Sequence, residues 1–205
     1  VSPNLTRAIL AVEDRRFYKH GAIDAQGIVR AAWVNWRGGR TKQGASTLTQ
    51  QLAKGLFLTP DRVVKRKLQE MLLAWKLEQV LSKDEILELY LNRIYFGAGT
   101  YGVDGASQTY FGKPASQLTL SESALLASLP KAPSRLALTN DMERALARSR
   151  LILANMRKEG WITRDLAVDL FKRAGLDFDA AKKQAQTRDF KPVPLGGETL
   201  TAHYD

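Results

Sequence analysis

The sequence predicts a mostly α-helical fold, and three observations support that class. Apolar residues recur at spacings of three and four along several segments, as they do on one face of a helix. Polar capping residues precede these segments, and glycines such as Gly160 follow them. No alternation of apolar and polar residues persists over the length of a strand. The 205 residues, 44% of them apolar, are enough for one substantial core.

Three helices are predicted in the first quarter of the chain. Ser2-Pro3 has the form of an N-cap followed by proline at the first helical position. The apolar stripe that follows consists of Leu5, Ala8, Ile9 and Val12. The second helix covers residues 28–36 and stops at an Arg-Gly-Gly-Arg loop. The third begins after a cap at Ser46 or Thr47.

The fourth and fifth predicted helices follow directly. Thr59-Pro60 is expected to start the fourth. Its inner side is expected to consist of four apolar residues: Leu68, Leu72, Trp75 and Leu77. Ser82 and Glu85 have the spacing of a capping box, which predicts the start of the fifth helix.

The rest of the chain is predicted to contain further helices and one irregular stretch. Glycine-rich residues 97–112 are expected to be a loop with a short irregular helix. Thr119 and Glu122 form a second capping box, ahead of an apolar helix over 124–129 that Pro130 ends. Two final amphipathic helices are predicted at 141–158 and 163–174.

We expect residues 1–178 to form one domain. Beyond Gly175 the hydrophobic period fades, and residues 179–205 have the composition of a linker-like tail. No apolar run approaches the roughly 18–20 residues that span a bilayer. We therefore expect any membrane anchor to lie outside this chain.

The chain is strongly basic, with a formal net charge of +10. Such a charge indicates an anionic partner, namely nucleic acid, an anionic membrane surface or a phosphate-bearing substrate, and the alternative is that it serves solubility alone. Many of the basic residues lie in one window, namely Arg37, Arg40, Lys42, Lys54, Arg62, Lys65, Arg66 and Lys67. The absence of cysteine excludes a disulfide scaffold and thiolate chemistry.

Glu13 and Glu70 are the candidate catalytic residues. Glu13 ends an apolar helix, where the helix dipole disfavours an anion, so its position suggests a role other than stability. Glu70 shares a helix face with Arg66 and Lys67. On its own, the spacing of Arg66 and Glu70 indicates a surface ion pair. Together, two carboxylates are typical of acid–base chemistry on sugars, and the cations suit a phosphate-bearing leaving group.

These residues belong to five motifs that cover about residues 5–160. The first two are Glu13-Asp14-x-x-Phe17-x-x-His20 and the stretch 43–54, Gln-Gly-Ala-Ser-Thr-Leu-Thr-Gln-Gln-Leu-Ala-Lys. The other three are Arg66-Lys67-x-x-Glu70, residues 83–92, and residues 124–127 with Pro130 and Pro133. In this order they resemble the peptidoglycan glycosyltransferase domain (family 51 glycosyltransferases) of class A penicillin-binding proteins.

The resemblance implies a lysozyme-like fold, with a helical head lobe and a smaller, membrane-facing jaw lobe. It implies an enzyme that polymerises lipid II into β-1,4-linked peptidoglycan strands with inversion, releasing undecaprenyl diphosphate. The expected partners are lipid II, the growing lipid-linked glycan strand, the membrane surface and other cell-wall synthesis proteins, without nucleic acid. The expected location is the outer, periplasmic face of the bacterial cytoplasmic membrane. A transpeptidase domain beyond the linker-like tail is favoured.

The resemblance also assigns roles by motif position. Glu13 matches the general base, and Glu70 matches the second glutamate, which assists near the departing diphosphate. Lys54, Arg66 and Lys67 match residues that hold the diphosphate, where a moenomycin-type phosphoglycolipid is also expected to bind. The other expected substrate-binding residues are Asp14, Phe17, His20, Ser46, Thr47, Gln50 and Gln51. No organic cofactor is expected. A divalent cation, Mg or Mn, near Glu70 is an alternative to a neighbouring basic side chain.

Some of these residues also fit purely structural roles. His20 can be a half-buried histidine with satisfied hydrogen bonds, Ser46 and Thr47 can serve as helix caps, and Phe17 can pack in the core. One departure from the family is visible, because Gly21 precedes Ala22 where the family has a variable residue followed by glycine. The turn after the histidine can therefore differ locally.

Two other functions stay open. A lysozyme-like lytic glycosidase would also use a glutamate, but it needs no cluster of cations for a diphosphate. A nucleic-acid-binding module is suggested by the basic charge and by Trp33 and Trp36 near Arg37 and Arg40. No zinc or helix-turn-helix pattern accompanies those residues.

Overall fold

The structure, a computed structural model, describes most of the chain up to residue 166. The described ranges are 1–38, 44–57, 63–133, 138, 142–163 and 166. The predicted linker-like tail (179–205) lies outside the described residues. So do the predicted helix start at Thr59-Pro60 and nearly all of the helix predicted over 163–174.

Helices dominate the described residues, which confirms the predicted mostly α-helical class. The helices are α1 (Pro3–Glu13), α2 (Ala25–Gly38), α3 (Leu48–Phe57), α4 (Val63–Val80), α5 (Lys83–Arg93), α6 (Val103–Phe111), α7 (Leu120–Leu126) and α8 (Met142–Lys158). Two short strands, β1 (Tyr95–Gly97) and β2 (Thr100–Tyr101), form an antiparallel hairpin. Three 3₁₀ turns lie at Phe17–Lys19, Ala115–Gln117 and Leu129–Lys131.

The chain divides into two compact units. One comprises residues 1–12 together with the described residues from Tyr95 onward, and the other comprises the described residues between 13 and 94. All of the predicted site residues belong to the second unit. The further division into a head lobe and a jaw lobe stays a prediction.

Helix α3 is the central element of the second unit and packs against both α4 and α5. A small apolar cluster joins these elements, with Ala22, Ala53 and Ala74 buried and Leu73 and Leu77 packed against them. A polar network crosses the same helices. Glu78 of α4 accepts hydrogen bonds of 2.6 Å from Thr49 Oγ1 and 2.8 Å from Lys83 Nζ. Because Glu78 is paired with a cation and a hydroxyl, it brings no uncompensated charge into the unit.

In the other unit, the apolar residues of α1 make it a firmly packed helix. Leu5 and Ile9 are completely buried. Asn155 Nδ2 of α8 donates a 3.3 Å hydrogen bond to the carbonyl of Ala11, in the last turn of α1. The backbone that leads into Glu13 is therefore held by packing and by a side-chain hydrogen bond.

The predicted helix ends are confirmed where capping chemistry is explicit. Ser82 Oγ accepts from the backbone N–H of Glu85, and the Glu85 carboxylate accepts a 2.7 Å hydrogen bond from the backbone N–H of Ser82. The hydrogen bonds from Ser82, the backbone one first, lower the pKa of Glu85. Thr119 and Glu122 form the same box before α7. Gly160, with φ +73°, follows the end of α8.

The predicted inner side of α4 is wrong for three of its four residues, and Leu77 alone of the four packs against the apolar cluster. Leu68, Leu72 and Trp75 are 59%, 62% and 56% exposed. The buried face instead contains Glu70 and Ala74. Apolar residues occur around most of this helix, so their spacing alone does not identify the face that packs inward.

The stretch 97–112 is also more regular than predicted. It contains part of the β1–β2 hairpin and then the regular helix α6. Strands of three and two residues are too short to show a period of two, which is why no strand was predicted. Helix α7 begins at Leu120 and ends at Leu126, and Pro130 lies in the following 3₁₀ turn rather than at the helix end.

Candidate active site

Glu13, the predicted base, is the last residue of α1 and the first residue of the second unit. Its side chain is partly buried. Gln51 Nε2 of α3 donates a 3.0 Å hydrogen bond to Glu13 Oε2. The glutamate is therefore oriented by an amide on α3, 38 residues further along the chain.

Asp14 joins the segment after α1 to the beginning of α3. Its side chain is buried. Oδ2 accepts a 3.0 Å hydrogen bond from the backbone N–H of Leu48, and Oδ1 lies 2.7 Å from His20 Nε2. A carboxylate at a helix N-terminus interacts favourably with the exposed N–H groups there. Asp14 thus holds its neighbour Glu13 close to α3, and a direct contact of Asp14 with substrate stays a prediction.

The carbonyl of Ala22 is a second anchor for α3. It accepts hydrogen bonds of 2.8 Å from Thr47 Oγ1 and 3.2 Å from Gln50 Nε2. Thr47 Oγ1 in turn accepts a 3.2 Å hydrogen bond from the backbone N–H of Gln50, so the predicted cap is confirmed. These contacts position α3, and a direct role of Thr47 in binding substrate stays a prediction.

The Gly21-Ala22 departure from the family pattern has a simple local explanation. Neither residue is among the described residues with a positive φ, so the backbone there does not require glycine. The Ala22 methyl group packs with Ala53 and Ala74, where a small side chain fits. The turn therefore accommodates alanine without displacing the carbonyl that anchors α3.

Phe17 and His20 both lie inside the second unit. Phe17 is 1% exposed, and the Lys83 ammonium lies 4.5 Å from its ring centroid. Both ring nitrogens of His20 face oxygen atoms, those of Asp14 and of the Gly21 carbonyl. These contacts show that Phe17 and His20 both stabilise the loop that follows Glu13. Their predicted substrate contacts are not needed to explain their burial.

The second predicted acid, Glu70, is 5% exposed and lies among cations. Lys67 Nζ donates a 2.9 Å hydrogen bond to Glu70 Oε2, and Arg66 Nε lies 3.3 Å from Oε1. Lys67 Nζ also donates to Ser46 Oγ at 2.8 Å and to Gln50 Oε1 at 3.2 Å. The ammonium group thus has three acceptors, the number that it can serve. The predicted pairing of Arg66 with Glu70 is confirmed, but the carboxylate is buried rather than on the surface.

Lys54, the other lysine predicted to hold the diphosphate, is exposed. It follows Gln50 by four residues and Gln51 by three on α3, so it shares their face of the helix. Gln51 bonds Glu13, and Gln50 bonds the lysine that holds Glu70. One face of α3 therefore links both acids and presents a cation one turn further on.

The surroundings of Glu70 do not fit a divalent cation. Both carboxylate oxygens face basic groups, whereas Mg²⁺ and Mn²⁺ prefer oxygen ligands. Within the described ranges, no group of three or more His, Cys, Asp or Glu side chains is placed to hold a metal ion. We therefore derive no step through a metal at Glu70.

Sequence reasoning missed the contacts that connect the predicted residues to the rest of the unit. Tyr90 donates a 3.4 Å hydrogen bond from its hydroxyl to Gln51 Oε1. Thr49 of α3 and Lys83 of α5 both donate hydrogen bonds to Glu78 of α4. Tyr90 and Lys83 lie in the fourth motif, so their positions were visible, but their partners are too distant in sequence to be read from spacing.

The described part of the chain is mostly helical, with one glutamate held at a helix end and a second buried among cations, and such paired carboxylates are typical of acid–base enzymes. Residues 1–157 match the transglycosylase family. The chain belongs to that family. This confirms the resemblance to the glycosyltransferase domain of class A penicillin-binding proteins and the predicted enzyme class, a peptidoglycan glycosyltransferase.

Two curated relatives agree with the family match. The chain is 52% identical over 163 residues to penicillin-binding protein 1A of Escherichia coli (strain K12), covering 80% of this chain and 19% of that protein. It is 53% identical over 163 residues to penicillin-binding protein 1A of Aquifex aeolicus (strain VF5), covering 80% and 22%. A crystal structure of penicillin-binding protein 1A from Haemophilus influenzae matches 53% of this chain and 15% of its own, with 40% identity and a TM-score of 0.40. The chain thus spans about a fifth of the length of these curated relatives.

Proposed function

We propose that this chain polymerises lipid II into β-1,4-linked glycan strands. The 4-hydroxyl oxygen of the incoming disaccharide attacks the anomeric carbon of the lipid-linked strand, on the face opposite the diphosphate. Glu13 takes the hydroxyl proton, and the bond between the anomeric carbon and the diphosphate oxygen breaks. A single displacement of this kind inverts the anomeric configuration and releases undecaprenyl diphosphate.

The observation that carries the proposal is the link of both acids to one face of α3. Gln51 orients Glu13 by a 3.0 Å hydrogen bond, and Gln50 and Ser46 hold Lys67 against Glu70. A base that is fixed by its support needs little rearrangement when the hydroxyl arrives. Cations that are already in place near the second acid can stabilise the charge that develops on a departing diphosphate.

The direct test is incubation of the chain with labelled lipid II, followed by separation of the products by length. Growth of glycan strands supports the proposal. Release of fragments from finished peptidoglycan, with no strand growth from lipid II, would indicate the lytic glycosidase instead.

Lys54 is expected to contribute a phosphate contact. It is exposed and lies on the face of α3 that carries Gln50 and Gln51. Lys54→Ala should weaken binding of a moenomycin-type phosphoglycolipid by roughly 10- to 100-fold, because a hydrogen bond to a charged group contributes about 1.5–3 kcal/mol. Isothermal titration calorimetry measures the change.

Lys76→Ala is the matched control for that experiment. Lys76 is also exposed, and it lies nine residues after Lys67 on α4, on the opposite side of that helix. Its replacement should leave the affinity unchanged. Equal losses in both variants would mean that only the general positive charge matters, and an unchanged Lys54→Ala affinity would place the phosphate site elsewhere.

We also propose that the second unit contacts an anionic membrane surface. No described helix is long and apolar enough to span a bilayer. Helix α2 exposes Trp33 and Trp36, and the Arg37 guanidinium lies 5.3 Å from the Trp33 ring centroid. Helix α4 exposes Leu68, Leu72 and Trp75, and α3 ends at the exposed Phe57, next to Leu58, which lies outside the described residues. Exposed tryptophan beside arginine is typical of a surface that lies in a membrane interface.

The chain should therefore float with liposomes that contain anionic phosphatidylglycerol at low salt. Replacing both Trp33 and Trp36 by serine should reduce the bound fraction about tenfold or more, because each exposed ring loses its apolar contact with lipid. Tyr101→Ser, which removes an exposed aromatic ring from the other unit, should have no such effect. Wild-type protein that stays entirely in the soluble fraction at low salt would contradict the proposal.

A further inference from the structure

We propose that Tyr90 is a positioning residue for the transfer reaction, acting on Glu13 through the side-chain amide of Gln51. This inference rests on the proposed role of Glu13 as the base. Tyr90 lies on α5, whereas Gln51 lies on α3 and Glu13 at the end of α1. The three side chains form a chain of two hydrogen bonds across the second unit.

The two hydrogen bonds have one consistent direction. The Tyr90 hydroxyl donates to Gln51 Oε1 at 3.4 Å, and Gln51 Nε2 donates to Glu13 Oε2 at 3.0 Å. An ionised carboxylate only accepts hydrogen bonds, so the amide must present its nitrogen to Glu13 and its oxygen to Tyr90. A phenol that donates to Oε1 selects that orientation over the flipped one. In the flipped amide, the oxygen would face the carboxylate.

The surroundings of Tyr90 keep its hydroxyl a donor. Its side chain is 2% exposed. Burial, followed by the negative charges of Glu13 and Asp14, raises the pKa of Tyr90 well above its ordinary value. The phenol is therefore protonated at any pH at which the enzyme would work. That the charge of Glu13 helps to raise the pKa of Tyr90 agrees with the short path between the two side chains through Gln51.

The expected contribution of the Tyr90 hydroxyl to the reaction rate is moderate, because its hydrogen bond to Gln51 is long, at 3.4 Å. Hydrogen bonds in catalytic sites often tighten only when the substrate is bound. A neutral hydrogen bond contributes about 0.5–1.5 kcal/mol, which corresponds to roughly a 2- to 13-fold change in rate. The change should fall on kcat rather than on KM, since Tyr90 orients the base and does not itself touch the sugar.

The test is a double-substitution cycle measured by lipid II polymerisation. Tyr90→Phe keeps the ring and removes the hydroxyl, and Gln51→Leu removes both ends of the amide bridge. Tyr90→Phe should lower kcat about 2- to 13-fold with an unchanged KM. In the Gln51→Leu background the same substitution should have no further effect, because the bridge on which it acts is absent.

Tyr110→Phe is the matched control. Tyr110 is also buried, and its hydroxyl donates a 3.1 Å hydrogen bond to the Phe96 carbonyl in the other unit. The Tyr110→Phe variant should be less stable than the wild-type chain in thermal unfolding but should have the same kcat. An equal loss of kcat in Tyr110→Phe, or a Tyr90 effect that persists undiminished in Gln51→Leu, would overturn the inference. So would a Tyr90→Phe enzyme with normal kcat.

Failure of the proposed base can be told apart from failure of this inference. If Glu13→Gln is inactive and Tyr90→Phe has normal kcat, the positioning role alone is overturned. If Glu13→Gln is active, the assignment of the base is overturned, and the role of Tyr90 falls with it. If Glu13→Gln is inactive and the Tyr90 effect disappears in Gln51→Leu, both are supported.

Discussion

The Glu13→Gln variant should polymerise lipid II about 10²- to 10⁴-fold more slowly than the wild-type chain, the usual cost of losing a general base. Glutamine has nearly the same shape and volume as glutamate, but at neutral pH it does not take the proton of the attacking hydroxyl. Its amide oxygen can still accept the hydrogen bond from Gln51 Nε2 that Glu13 accepts at 3.0 Å. The loss should therefore be chemical rather than structural.

Two measurements distinguish a loss of chemistry from a loss of structure in the Glu13→Gln variant. Thermal unfolding should show a folded Glu13→Gln protein, and binding of a phosphoglycolipid should remain within a few-fold of the wild-type affinity. Glu143→Gln removes an exposed carboxylate from the first turn of α8 and should keep normal kinetics. An active Glu13→Gln enzyme would exclude Glu13 as the base.

Glu70→Gln should lose both activity and stability. The carboxylate faces Lys67 Nζ at 2.9 Å on one oxygen and Arg66 Nε at 3.3 Å on the other. An amide can offer its oxygen to only one of these cations, and its NH₂ group then faces the other donor. We expect about 1–3 kcal/mol of lost stability, below the cost for a fully buried pair because Lys67 and Arg66 are partly exposed. Polymerisation should fall about 10²- to 10³-fold, as when a preorganised charge is removed from an active site.

Glu78→Gln provides a matched control for the loss of stability. Glu78 is also largely buried on α4 and accepts hydrogen bonds from Lys83 and Thr49. Its replacement should reduce the free energy of unfolding to a similar extent, yet leave the activity per folded molecule unchanged. If both variants lose activity only in proportion to their unfolded fraction, Glu70 has a structural role and not a catalytic one.

The helix caps show how far local sequence reasoning reaches. Ser82 with Glu85, and Thr119 with Glu122, were predicted from spacing and form capping boxes in the structure. Each box involves residues three apart, so the interaction is complete within one helical turn. The pairing of Glu70 with Arg66 and Lys67 is equally local, and its existence was predictable for the same reason.

Burial was less predictable than pairing. The sequence indicated a surface ion pair for Arg66 and Glu70, but Glu70 is buried while Leu68 and Leu72 are exposed. A helix that is apolar around most of its circumference can pack with more than one face inward. Which face of α4 turns inward is decided by α3 and the segment before it. Ser46, ahead of α3, and Gln50, within it, are partners for Lys67, and Ala53 of α3 packs in the apolar cluster with Ala74.

The sequence by itself determined the helical class, the capped starts of several helices, and the two candidate acids, with Glu13 at the end of an apolar helix and Glu70 one turn after its cations. These features depend on interactions within a turn or two of helix, where neighbours in the chain are also neighbours in space. Only the tertiary structure decided that Gln51 meets Glu13, that Asp14 binds the start of α3, and that Tyr90 donates to Gln51. Those partners are separated by 34 to 39 residues, so the contacts exist only after the end of α1 and helix α5 have packed against α3, and local propensity does not specify them.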